Sequence, residues 1–295
     1  HLSIRRQRQM CIRDRFEILR YMMTEEPCSL TAIIFDGVDR LQHIFWRFLH
    51  PDYLPEELSP TGDKARELCL EYFSQLDSFL AEIVALAGSE ARILIVSEHG
   101  FSASVESFYL NTWLNQNGYL EWAKDNEAQN APSKLVVRSK RYFDTIDLAK
   151  TTAYAITASS NSIYISIAGK KGITPEIYES FRQELIDKLL AFTDMPGGRP
   201  VVTRIWTREE AYSGTRMDIA PDLTLALRDN GFISIAKSDV AIEPRIHPCG
   251  THHPEGIFMI AGPGVRKGVS MDPISILDIA PLLLHSLEIP VPEDL

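Results

Sequence analysis

The sequence predicts an α/β fold with a mostly parallel central sheet and helices on both faces. Three stretches carry that prediction. Residues 31–35 are short, apolar and β-branched, which is the pattern of a buried strand. Residues 63–87 carry Leu68 and then place Phe73, Leu76, Phe79 or Leu80, Ile83 and Ala87 at three- and four-residue steps, with Gly88 positioned as a C-cap. Residues 92–97 are a second apolar run that begins at once after that helix. Strand, helix, strand in this order is the signature of a βαβ unit and hence of a parallel sheet.

The later elements follow the same logic. An eight-residue stretch, 16–23, can form a helical turn or two leading into the first strand. The aromatic- and amide-rich run from Phe108 to Leu120 reads as a helix capped at Gly118, and the polar run from Lys124 to Ser133 as exposed. Together, residues 102–150 are expected to be an insertion or cap element. Residues 162–168 alternate and read as a strand closed by Gly169. Thr174 and Pro175 supply an N-cap and an N1 proline for a helix running to Leu190 with Phe181, Leu185 and Leu189 on one face. Strands are expected at 200–206 and 220–227, and a closing helix at 278–287.

Composition sets limits on function. The chain has 295 residues, 45% of them hydrophobic and 24% charged, enough for one large domain or two smaller ones. A net charge of −10 offers no footprint for nucleic acid or an anionic membrane. Cys11, Cys28, Cys69 and Cys249 have no paired spacing and read as free thiols in a reducing compartment. No apolar run approaches the roughly 20 residues that span a bilayer, and the polar, basic start lacks a signal-peptide pattern. A cytoplasmic location is the expectation. Residues 1–15 lack an amphipathic period and are expected to be a non-native or disordered tail, leaving 16–295 as a partial catalytic domain.

The chemistry-bearing residues fall in three islands. Asp39 and His43 stand four apart just past the first strand, on one face if the segment is helical or side by side if it is a loop. Glu98 and His99 follow the second strand directly, and strand carboxyl ends are where open α/β sheets bind ligands. His252 and His253 precede a buried strand that ends in Gly262-Pro263-Gly264; on an extended backbone the two point apart, so one at most reaches the site. Carboxylate oxygen with imidazole nitrogen suits Zn²⁺ or Mn²⁺.

In this order the islands resemble the type I phosphodiesterase/nucleotide pyrophosphatase branch of the alkaline phosphatase superfamily. The carrying motifs are the D-R-x-Q-H-x-F-W stretch from Asp39, the S-E-H-G-F turn from Ser97 and the G-T-H-H-P-E-G-I-F segment from Gly250, with Ala220-Pro221-Asp222-Leu223 and Ser275 to Pro281 in support. The resemblance implies an alkaline-phosphatase-like three-layer sandwich, here incomplete at its N-terminal side. It implies two metals about 4 Å apart clamping an in-line phosphoryl transfer. Asp39, His43 and His252 would hold one ion, Zn²⁺ before Mn²⁺, and Glu98 and His99 the other. A Thr or Ser nucleophile and a further aspartate are expected from an upstream segment, since Thr24 and Ser29 precede the first strand. Glu98 stands where the family carries aspartate, and His253 where relatives often carry arginine. The implied function is metal-dependent hydrolysis of phosphoric esters of small molecules or nucleotides, with this stretch alone inactive. Phosphomutase or phosphomonoesterase chemistry, and a non-catalytic metal-binding protein, are the alternatives.

Overall fold

A computed structural model describes residues 2–123, 145–167, 173–195 and 198–293. The polar run 124–133, and the strand end expected at Ala168 and Gly169, lie outside the described residues. The chain divides into two compact units, one of residues 1–102 with 249–295 and one of residues 103–248.

The first unit opens with α1 (Leu2–Glu25), α2 (Gly37–Leu49) and α3 (Pro60–Ala87). Helix α1 starts well before Phe16. Ile12, Phe16 and Leu19, at steps of four and three, are its buried stripe, and Phe16 stacks on Phe79 of α3 with ring centroids 4.2 Å apart. Helix α3 matches its prediction closely: Ser59 Oγ accepts from the Gly62 amide at 3.2 Å, Pro60 sits in the first turn, and Gly88 at φ +76° ends it. Leu41 of α2 with Cys69 and Tyr72 of α3 join Ile12 in a small core. Burial, with the Asp36 charge adding to it, pushes the Tyr72 hydroxyl up to about 12, so it stays neutral.

Residues 31–35 form no ladder among the described residues, and Ile34 is 77% exposed, so the buried first strand is corrected to an extended, unpaired segment. The second strand is present as β1 (Ile93–Val96), and its partner is β8 (Phe258–Ala261). They run antiparallel, with Leu94 opposite Ile260 and Val96 opposite Phe258. The mostly parallel sheet is therefore not what the described residues form: the βαβ reading needed 31–35 as the neighbour of β1, and β8 pairs with it from far along the chain instead. The Arg92 side chain donates to the carbonyls of Pro263 and Ser286, tying this ribbon to the Gly-Pro-Gly turn and to α7 (Ile279–Ser286).

The chain leaves and re-enters the first unit along β2 (Gly100–Phe108) and β7 (Ile242–His253), which pair with each other. The second unit holds α4 (Leu110–Gln116), β3 (Ala153–Tyr154), β4 (Ser162–Ile165), α5 (Pro175–Ala191), β5 (Val202–Thr207), α6 (Arg208–Ala211) and β6 (Leu223–Leu227). Four strands make an antiparallel sheet in the order β3, β4, β6, β5. Its core joins Ile163, Leu223, Leu225 and Leu227 from the sheet to Leu185 and Leu189 of α5 and Leu110, Trp113 and Leu114 of α4. Asp222, 2% exposed, is locked by the Ile165 amide, the Tyr178 hydroxyl and Arg208, each at 2.6 Å, and so acts as a structural clamp.

Candidate metal centre

Three elements of the first unit bring imidazoles to one carboxylate. Helix α2 carries Asp39 and His43 one turn apart, the turn after β1 carries His99, and the end of β7 carries His252. His43 Nε2 and His252 Nε2 each lie 3.3 Å from Asp39 Oδ1, and His99 Nε2 lies 3.7 Å from it. His43 Nε2 and His252 Nε2 are 3.0 Å apart. The His99 and His252 rings stack at 3.6 Å between centroids. All four side chains are partly accessible, from 19% for His99 to 39% for His252.

Backbone carbonyls set the tautomers. His43 Nδ1 donates to Gly250 O at 2.8 Å and His99 Nδ1 to Gly100 O at 3.0 Å, which leaves both Nε2 lone pairs facing Asp39. Two glycines make this possible. A Cβ on Gly250 would run into the Gln42 carbonyl of α2, and one on Gly100 into the Glu255 carbonyl. Phe101 closes one side, edge-on to His43 at 5.0 Å and to His252 at 5.6 Å, and Trp46 stacks behind it at 6.0 Å.

The donor set fits a divalent ion. Ligands about 2.0–2.1 Å from a tetrahedral centre are about 3.3 Å from one another; the three contacts to Asp39 and the His43–His252 contact run from 3.0 to 3.7 Å, and the ligand atoms of Asp39, His99 and His252 lie within 4.8 Å of one another. Imidazole nitrogens crowded this closely repel unless a proton or a cation lies among them. Burial and the neighbouring His99 and His43 hold the His252 pKa below the usual imidazole value, against the pull of Asp39, which favours the neutral, ligating form.

Of the five residues singled out in the sequence, Asp39, His43, His99 and His252 converge, and Glu98 does not. Glu98 is exposed and makes no hydrogen bond or ion pair among the described residues. His99 thus stands with the Asp39 group, in place of a separate pair with Glu98. Asp36, equally acidic and three residues from Asp39, is held by Arg15 at 2.6 Å and Arg40 at 2.8 Å. His253 Nδ1 accepts from the Glu255 amide at 3.2 Å and turns into its own loop, so one of the two adjacent histidines reaches the group. Phe101 and the carbonyls of Gly100 and Gly250 were not singled out from the sequence, although all lie within the quoted motifs.

A family model described as type I phosphodiesterase / nucleotide pyrophosphatase matches residues 5–255, a span that contains all of these side chains. The chain belongs to this family. No curated protein matches this phosphodiesterase/pyrophosphatase family member. Among solved structures it is similar to phosphonoacetate hydrolase from Sinorhizobium meliloti 1021 in complex with phosphonoformate, at 16% identity and a TM-score of 0.38. The same enzyme in complex with phosphonoacetate gives 15% and 0.37. Each likeness covers 74% of this chain and 46% of the hydrolase, so the family member spans less than half of that enzyme.

Proposed function

We propose that this chain carries the metal-binding half of a phosphoric-ester hydrolase of the phosphodiesterase/nucleotide pyrophosphatase type. One observation supports it above the others: three imidazole Nε2 atoms from three separate elements converge on Asp39 Oδ1 at 3.3–3.7 Å. Asp39, His43, His99 and His252 would hold a divalent ion, Zn²⁺ in first place and Mn²⁺ in second. Such an ion supplies charge stabilisation at a phosphoryl oxygen and lowers the pKa of a bound water. The chain's own residues orient that chemistry. Gly100 and Gly250 carbonyls fix the tautomers, while Phe101 and Trp46 shield the group on one side and raise its electrostatic strength.

The nucleophile, a Thr or Ser, is proposed to come from a segment upstream of Asp39, together with a further aspartate for a second ion. The substrate would be a small phosphate ester or a nucleotide, and the location cytoplasmic. With Glu98 outside the group, a second reading gains weight: one ion held for binding, without turnover. The two separate in one experiment. Zn²⁺ binding to this chain is measured by calorimetry, and hydrolysis of an aryl phosphodiester is measured on the full-length protein with and without EDTA. Metal-dependent hydrolysis that His252→Ala abolishes supports the enzyme; metal binding without hydrolysis supports the second reading. Full activity in His252→Ala overturns the site.

A further inference from the structure

The β1–β8 ladder ends in an uneven exchange, two residues ahead of His99. Register places Ser97 opposite Ile257, one step beyond the Val96–Phe258 pair. In an antiparallel ladder such a pair trades both backbone hydrogen bonds or neither. Here one is made as expected: the Ser97 amide donates to the Ile257 carbonyl at 3.0 Å. The return bond is diverted. The Ile257 amide donates to Ser97 Oγ at 2.8 Å, in place of the Ser97 carbonyl. A side chain has taken over the last rung, and the backbone is released there to turn into Glu98 and His99.

The partner segment is held at the same place. Residues 253–257 cross the 97–100 turn with backbone close on backbone. A Cβ on Gly256 would run into Ser97 Oγ and come within 3.2 Å of the His99 carbonyl carbon. One on Gly100 would strike the Glu255 carbonyl. Two segments that each bear an imidazole are thus latched at Ser97. His99 stands two residues after Ser97, and His252 five residues before Ile257. Beyond the latch the two rings stack, 3.6 Å between centroids with their planes 19° apart. Residue type decides whether the latch can form. Alanine leaves the Ile257 amide without that acceptor, whereas threonine keeps a hydroxyl on the same carbon. We propose that Ser97 is a positioning residue for the metal group: its hydroxyl sets the offset between His99 and His252 without itself reaching an ion. This inference rests on the metal-binding reading given above.

The test compares the full chain with Ser97→Ala, Ser97→Thr and Gly256→Ala, first in EDTA and then with metal. In EDTA, the NMR ring signals of His99 and His252 should shift in Ser97→Ala, while those of His50 and His285 stay in place. Ser97→Thr should return them to the parent positions. With metal, calorimetry should show Ser97→Ala losing about 10–100-fold in Zn²⁺ affinity, the range for disturbing the partners of metal ligands. Co²⁺ gives a spectroscopic signature: the visible bands of the parent complex should change in Ser97→Ala and return in Ser97→Thr. Gly256→Ala pushes on the hydroxyl from the other segment and should copy Ser97→Ala. It takes that variant's place should Ser97→Ala fail to fold by circular dichroism. Ring signals unmoved in both Ser97→Ala and Gly256→Ala overturn the proposal, as does an unchanged Zn²⁺ affinity in both. A parent that binds no Zn²⁺, with ring signals that still move in Ser97→Ala, would remove the metal reading and uphold the hold of Ser97 on the two rings.

Discussion

Asp39 is the residue on which the metal group turns, because its Oδ1 atom is the common neighbour of three imidazoles. Asp39→Asn keeps the shape and removes the charge. It should weaken Zn²⁺ binding at least tenfold by calorimetry, whereas Glu98→Gln should leave it unchanged. Equal losses in both variants would show that Glu98 ligates after all. Gly250→Ala tests the support of the group. The new methyl meets the Gln42 carbonyl, so α2 and β7 must part, and with them His43 and the carbonyl that fixes its tautomer. A loss of metal affinity of about 10–100-fold is expected, the range for disturbing the partners of metal ligands. Affinity within twofold of the parent would mean the strand gives way without moving the ligands. At this scale much was legible in advance. The order of the motifs and the family resemblance they carry named Asp39, His43, His99 and His252, which the structure brings together although the strand expected ahead of Asp39 is an unpaired segment. The fate of Glu98 was not legible, because whether a side chain faces a site depends on the backbone turn and not on residue type. Asp36 shows the same limit from the other side: only the fold reveals that Arg15 and Arg40 hold it.

Helices were read more accurately than sheets, for a physical reason. A helix satisfies its hydrogen bonds within itself, so the caps Ser59 and Gly88 and the period of α3 are complete in the local text. A strand needs a partner that local text does not name. Residues 31–35 look as apolar as Ile93–Val96, yet only the second finds a ladder, with Phe258–Ala261. The antiparallel direction of that ladder was equally hidden. In the second unit, helix α5 shows what its predicted stripe contributes. Leu185 is fully buried in the core, so Leu185→Ala should cost about 2–5 kcal/mol in chemical denaturation. Leu70 on α3 is 44% exposed, and Leu70→Ala should stay within about 0.5 kcal/mol. Similar costs at the two sites would contradict the burial pattern that separates them.

Across the whole molecule, the two units differ in how they are held together. The second has a broad core reaching from Phe108 to Ala241. The first relies on a smaller one around Ile12, Leu41, Cys69 and Tyr72, and leaves Ile34, Met259 and Leu277 more than half exposed. Burial of apolar area is the main favourable term in folding, so the first unit should melt first and the second later, giving two calorimetric transitions. All four converging donors belong to the first unit. An ion that binds only the folded form stabilises it by about 2.7 kcal/mol at a hundred times its Kd. For a unit of this size that is a rise of roughly 5–10 °C in Tm. Zn²⁺ should therefore raise the lower transition and leave the upper one in place, and EDTA should reverse the shift. A single transition would refute the division into independently melting units. A shift confined to the upper transition would place the ion's site in residues 103–248, away from Asp39.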